Sequence, residues 1–252
     1  MLIDTHCHIH ESYELPLDEV LERAQEAGVE EYICIGTSEE SSRQAIAFAG
    51  HNPNAYAAIG VHPHDTKEGY SEIATLAGTS DKIVAVGEIG LDYFYTHSPR
   101  EMQMEALEAQ IEVALKHDLP IIFHVREAFD DFWPIFDAHP GIRGELHSFT
   151  DSAENLQKAL DRGLYIGVNG ISTFTKDETQ KATFDSIPLD RLLLETDAPF
   201  LTPAPLRGKV NEPAYVKLVA QYHANRRGIS LEEIASATTA NARTLFHLTT
   251  LS

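Results

Sequence analysis

The chain has 252 residues, 43% of them hydrophobic, with 39 acidic side chains against 19 basic ones and a formal net charge of -20. That length and composition fit one well-cored domain over 1–252. The charge excludes a polybasic groove, so a nucleic-acid substrate has to be held by a local basic cluster and by metal ions. Two cysteines, Cys7 and Cys34, exclude a disulfide scaffold by number, and no apolar run approaches the roughly 20 residues that span a bilayer.

Strand-like apolar runs fall at 2–6, 31–36, 55–61, 82–88, 119–124, 143–147, 164–169 and 191–196. Most are nearly continuous, as in Ile121-Ile122-Phe123 and Leu192-Leu193-Leu194, the signature of parallel strands covered on both faces. Helical patterns lie between them. Ser98-Pro99-Arg100-Glu101 reads as an N-cap serine, a proline at the first helical position and a capping-box glutamate. Thr37 to Glu40, Asp151 to Glu154 and Ser230 to Glu233 repeat the cap pattern, and Gly28 and Gly163 stand where helices should end. The 98–118 helix carries Leu107, Ile111, Ala114 and Leu115 on one stripe. Both cysteines fall in strands and read as free, buried thiols of a reducing compartment. The first strand begins at residue 2, with no room for a signal peptide, and a cytoplasmic location is expected.

Eight strands, each followed by a helix, predict an α/β fold of the (β/α)8 TIM barrel type. Two extra C-terminal helices are expected at 212–227 and 231–247. The alternative is an open doubly wound sheet. It is disfavoured because the chemistry-bearing residues end strands one, four, five, six and eight, which face one mouth only in a closed ring.

His6 and His8 flank Cys7 on the first strand, and residues two apart on a strand point to the same side. Their imidazoles therefore converge as metal ligands. Glu88, His124, His147 and Asp197 end later apolar runs and complete a candidate ligand set. Mixed imidazole and carboxylate donors suit Zn, Mn, Fe or Co, with Mg a poorer match. Two divalent ions about 3.5–4 Å apart deprotonate a shared water and stabilise both oxygens of an in-line displacement at phosphorus. Asp197 would then be both ligand and proton acceptor, and Glu88 could bridge two cations.

Further groups follow the strands. His62 follows the third and either donates a hydrogen bond to a leaving oxygen or orients the substrate. Arg126 lies two residues beyond His124, and Arg207 and Lys209 follow the eighth strand. Arginine grips phosphate oxygens in a bidentate fork, so Arg126 and Arg207 are candidate phosphate contacts, while Lys209 reads as a solvated loop charge. Asp4 shares a face with His6 and is placed to hold an imidazole tautomer. Glu195 shares a face with Asp197 and is a candidate contact of His6 or His8. Tyr93, Phe94 and Tyr95 either stack on a base or pack over the barrel mouth. The remaining histidines, His223 among them, read as surface or packing residues.

Taken together, these segments resemble the TatD family of metal-dependent hydrolases and deoxyribonucleases. The resemblance covers Asp4 to His8, Gly60 to His62, Gly87 to Asp92, His124 to Arg126, His147 to Phe149, Tyr165 to Gly167, Glu195 to Pro199 and Arg207 to Pro213. It implies a distorted (β/α)8 barrel with a two-metal site ligated by His6, His8, Glu88, His124, His147 and Asp197, Glu88 bridging. It implies substrate phosphate at His62 and Arg126, and cleavage of nucleic acid, often from the 3′ end of single strands. Ser148 and Glu127 depart from the cysteine and aspartate that many members carry; neither is a ligand.

The expectation is thus a metal-dependent phosphodiesterase acting on single-stranded DNA, with 3′-5′ polarity and Zn, Mn, Mg or a similar pair of ions. No membrane association and no obligate protein partner are inferred. One alternative is an ester or amide hydrolase acting on a small molecule or an aminoacyl-tRNA. The other is a non-catalytic barrel scaffold, against which the intact ligand set argues.

Overall fold

A computed structural model describes residues 1–95 and 97–248. In chain order its elements are β1 Leu2–Cys7, α1 Leu17–Ala27, β2 Val29–Ile35, α2 Glu39–His51, β3 Ala55–Ile59, α3 Ile73–Leu76, β4 Ile83–Asp92, α4 Arg100–Lys116, β5 Ile121–Arg126 and α5 Phe129–Ala138. They continue with β6 Gly144–Leu146, α6 Ala153–Asp161, β7 Tyr165–Val168, α7 Ile171–Phe174, α8 Glu178–Ser186, β8 Leu192–Leu194, α9 Val216–Arg227 and α10 Leu231–Phe246. The strands form one sheet whose order is the chain order, β1 to β8, as in a (β/α)8 barrel. The two C-terminal helices expected from the sequence are α9 and α10.

The chain divides into two compact units, Met1–Cys34 with Ser148–Ser252, and Ile35–His147. In the first, β1 pairs parallel with β2, and β7 with β8. The end of β1 also meets the loop after β8 through a bridge between Cys7 and Ala198. First and last strands are therefore neighbours, which an open sheet would not give. Helix α10 packs on β1 and β8. It starts with the capping box expected at Ser230 and Glu233.

In the second unit β3, β4, β5 and β6 pair in parallel. Ile59, Val61, Ile73, Ala77 and Ile83 form one buried cluster, with Ile46, Tyr70, Leu76, Val113 and Leu119 against it. Phe123 of β5 packs edge-on against Phe132 and Phe136 of α5, ring centroids 5.0 and 5.9 Å away. Each buried aromatic side chain of this kind contributes roughly 2–3 kcal/mol.

The expected strands are all present, but β4 runs on to Asp92 instead of stopping at residue 88. After a register shift between Val86 and Ile89, its last residues pair with β5 up to Asp92 opposite Arg126. Gly90 permits this: its φ is 154°, and a Cβ there would lie 1.8 Å from the His124 carbonyl oxygen. Three helix starts also differ. Ser38, not Thr37, caps α2, and Ser152, not Asp151, caps α6, each accepting from a backbone N–H three residues on. Pro99 is the N-cap of α4. Ser98 instead donates its hydroxyl to the His64 carbonyl at 2.7 Å. Leu107, Ile111 and Ala114 are buried as the stripe predicts, whereas Leu115 is 36% exposed.

Candidate metal centre

Within the first unit, backbone pairing assembles a triad. The Asp197 amide donates to the His6 carbonyl at 2.8 Å, and the His8 amide to the Ala198 carbonyl at 2.7 Å. This register sets the Asp197 carboxylate against both imidazoles: Oδ1 is 3.2 Å from His8 Nε2 and 3.7 Å from His6 Nε2. One donor atom from each of the three lies within 4.8 Å of the others. Asp197 has φ 60°. A non-glycine residue held there is typical of a site whose surroundings dictate the backbone.

Those surroundings are hydrogen bonds to Thr196 and the loop after it. Asp4, fully buried, accepts from the Thr196 amide at 2.9 Å and its hydroxyl at 2.6 Å. Asp4 also accepts from the His6 backbone amide at 3.4 Å. Its role is thus to lock β1 to the residue before Asp197, a different task from the expected grip on an imidazole. Burial raises its pKa to about 8, against the pull of the Thr196 hydrogen bonds. Asn211 straps the same loop, donating to the carbonyls of Thr196 at 2.8 Å and Phe200 at 2.5 Å. Glu195 accepts from the Ser148 amide at 2.8 Å and from Asn169 at 3.1 Å. Ser148, the residue after His147, has φ 48°. A side chain at Gly167 would strike the Glu195 carboxylate at 2.4 Å.

The second unit holds another triad, His62, Glu88 and His124, whose donor atoms also lie within 4.8 Å of one another. His124 Nδ1 is 2.7 Å from Glu88 Oε1, and His124 Nε2 is 3.0 Å from Asp92 Oδ2. His62 Nε2 and His147 Nε2 stand 3.6 and 3.8 Å from the same Glu88 oxygen. Three of the expected functional residues, His62, His124 and His147, are therefore gathered around the carboxylate of a fourth, Glu88.

The electrostatics of these groups differ. Burial, aided by the neighbouring His124, pushes His62 well below the usual histidine range. Burial also opposes charge on His124, but hydrogen bonds to Asp92 and Glu88 outweigh it and raise that pKa. Asp92 is shifted the other way: burial favours its neutral form, yet the hydrogen bonds from His124 and the Tyr95 amide hold it well below the carboxylate range. The His64 backbone amide donates to His62 Nδ1 at 3.1 Å. A neutral His62 then carries its proton on Nε2, the nitrogen facing Glu88.

Backbone clamps position these strand ends. Gln103 and Gln110 lie two turns apart on α4 and are both buried. Gln110 Oε1 accepts from the Val61 amide at 2.7 Å and its Nε2 donates to the Val61 carbonyl at 3.2 Å. Gln103 does the same for Asp92, at 2.8 and 3.1 Å. Sequence reading passed over these glutamines, although they sit at the spacing of a buried stripe. His64 follows the third strand with His62 but was assigned no role; its Nε2 lies 2.9 Å from Asp92 Oδ2. The His62-Pro63-His64 spacing, the same as His6-Cys7-His8, is the signal that marks it.

The basic groups are exposed: Arg126 ends β5, and Arg207 lies in the loop after β8. Arg126 stacks over Phe94 and Tyr95, its Cζ 4.1 and 5.0 Å from the ring centroids. Arg207 stacks over Phe174 at 3.8 Å and donates to the Thr202 carbonyl at 2.9 Å. Tyr93 belongs to the packing: its hydroxyl donates to Asp131 at 2.8 Å, and Arg100 lies over its ring. Cys7 and Cys34 are free and buried, as expected. Among the described residues, no helix is long and apolar enough to cross a membrane.

Imidazoles and carboxylates, most of them buried, are grouped in threes within 4.8 Å and could hold metal ions, as a metal-dependent hydrolase requires. The chain belongs to the TatD family: the family model for TatD related DNase matches residues 3–247. It is 41% identical to the uncharacterized metal-dependent hydrolase YabD of Bacillus subtilis, over 98% of this chain and 100% of that one. It is 38% identical to the 3′-5′ ssDNA/RNA exonuclease TatD of Citrobacter rodentium, over 92% of each. The solved structure of the TatD homologue YJJV from Escherichia coli superposes with a TM-score of 0.90 at 31% identity, over 98% of both chains. The expected (β/α)8 barrel and the hydrolase class both follow from these matches, and the scaffold alternative falls.

Proposed function

We propose that this hydrolase cleaves the phosphodiester bonds of single-stranded nucleic acid, DNA in the first instance, from the 3′ end. The observation that carries the reading is the pair of donor clusters, His6, His8 and Asp197 in one unit and Glu88 and His124 with His62 and His147 beside them in the other. The chain's relatives that are named as exonucleases support the substrate class.

The donor sets fit divalent ions of the Zn or Mn type, because each mixes imidazole with carboxylate. His6, His8 and Asp197 would hold one ion; Glu88, His124 and His147 would hold the other. Ions so held supply Lewis acidity and lower the pKa of water. The protein's own groups do the rest. Asp92 accepts a hydrogen bond from His124 Nε2–H, which leaves Nδ1, on the Glu88 side, with its lone pair free to ligate. His62 is kept neutral with its proton on Nε2, which suits a hydrogen bond to a phosphate oxygen better than ligation. Asp197 accepts a proton as water attacks phosphorus, and Arg126 and Arg207 hold flanking phosphates.

Digestion of 5′- and 3′-labelled single-stranded DNA with Mg, Mn and Zn in turn, beside Asp197→Ala protein, tests this. A ladder that starts at the 3′ end and vanishes in the variant is expected. Metal-loaded protein that leaves DNA and RNA intact while cleaving a carboxylic ester or amide would overturn it.

A further inference from the structure

Resting on the nuclease reading, we propose that the Phe94 ring is a stacking surface for an unpaired nucleobase, whose adjoining phosphate pairs with the Arg126 guanidinium. Phe94 and Tyr95 follow β4 directly, and both are large aromatic side chains left 49% and 42% exposed. They meet edge to face, ring centroids 4.7 Å apart at 84°. The Arg126 guanidinium lies over the Phe94 ring at 4.1 Å. Half of the Phe94 surface nevertheless stays in water.

The loop is built, not loose. Asp92 Oδ1 accepts from the amides of Phe94 and Tyr95 at 3.0 and 2.9 Å. Asp92 Oδ2 faces His64 and His124. One carboxylate therefore fixes both the aromatic pair and an imidazole of the candidate metal centre. A base resting on Phe94 is thereby held in register with that imidazole.

The chemistry selects the occupant. Two rings make an apolar patch far smaller than the few hundred Å² that mark a protein or membrane surface. Other exposed large hydrophobic residues are few: Met1, Leu115 and Phe200 among the described residues. A guanidinium beside a planar ring offers a phosphate contact and a π-face together, the pairing that a nucleotide presents in reverse. A chain with net charge -20 repels a phosphate backbone at long range. Stacking, which is indifferent to that charge, adds to the few basic groups in holding a strand.

Fluorescence anisotropy of a 3′-labelled oligothymidylate with metal-chelated protein tests the surface apart from cleavage. An oligonucleotide of the same length with abasic sugars is the comparison. Phe94→Ala should bind the thymidylate about tenfold more weakly and the abasic strand no more weakly than wild type does. Phe94→Trp should restore the difference. The same ratio should appear in KM for the metal-loaded enzyme, with kcat within about twofold. Equal binding of thymidylate by wild type and Phe94→Ala would overturn the proposal, as would equal losses on both strands. Base-dependent binding without cleavage would leave the stacking surface standing and remove the nuclease reading. Cleavage indifferent to Phe94 would do the reverse.

Discussion

Asp92 and His124 are joined at 3.0 Å through Asp92 Oδ2 and His124 Nε2, while the other Asp92 oxygen carries the backbone of the following loop. At the proposed metal centre this carboxylate–imidazole pairing would orient His124 as a ligand and raise its basicity. Asp92→Asn retains an oxygen for the Phe94 and Tyr95 amides but removes the negative charge from His124. Metal affinity should fall about 10- to 100-fold, with no change in fold. Competitive chelator titration, with circular dichroism as the control, measures it.

Metal removal should lower thermal stability, since each triad crowds groups that an ion would draw together. Re-adding Mn or Zn at about 100 times its Kd to chelated protein contributes on the order of 2.7 kcal/mol per site. That is a rise in Tm of roughly 5 °C or more for a chain of this size. Asp197→Ala should lose a large part of the gain in a calorimetric scan. The same gain in wild type and variant would show that the His6, His8 and Asp197 triad holds no ion.

Stability should also fall with acid through His223, which lies buried on α9. Its Nε2 is 3.0 Å from Ser172 Oγ. Burial, reinforced by the Arg227 charge, lowers its pKa to about 3. The unfolded chain binds a proton here below about pH 6.5 while the folded chain does not until about pH 3. The folded state thus keeps its full advantage above about 6.5 and loses it progressively as pH falls toward 3. At pH 5 the loss is on the order of 2 kcal/mol. Urea denaturation at pH 7 and pH 5 should show a smaller difference for His223→Gln than for wild type.

Arg243 on α10 meets Glu31 on β2 at 2.9 Å, and the Glu31 side chain is 1% exposed. Arg243→Met would leave that carboxylate buried without its guanidinium, a change that costs about 3 kcal/mol. Replacing both residues by methionine should recover most of the loss, because the desolvated charge goes as well. A double-mutant cycle by chemical denaturation reads both quantities. Full loss in the double variant would mean that packing of the arginine stem dominates.

Much of this was written along the chain. The strand runs identified the barrel and the His6-Cys7-His8 spacing pointed to candidate ligands, because alternation on a strand and burial of parallel strands are local rules. Boundaries were less legible. β4 reaches Asp92 because Gly90 lets its backbone close on His124, a contact made across the sheet and invisible in a window of sequence. Ser98 matched a cap pattern and instead holds the His64 carbonyl, since a hydroxyl bonds to whichever backbone group the fold presents. Gln103 and Gln110, to which the sequence pattern assigned no role, are clamps on Asp92 and Val61.

The sequence by itself determined which side chains are available for metal chemistry and which strands carry them, because residue type and periodicity are properties of the chain alone. Tertiary structure decided their partners. It set Asp4 on Thr196, where a contact with an imidazole was expected, turned His62 so that Nδ1 accepts and Nε2 faces Glu88, and laid Arg126 on Phe94. Each of these depends on hydrogen-bond directions and ring orientations between elements distant along the chain. Such angles exist only once packing has brought those elements together.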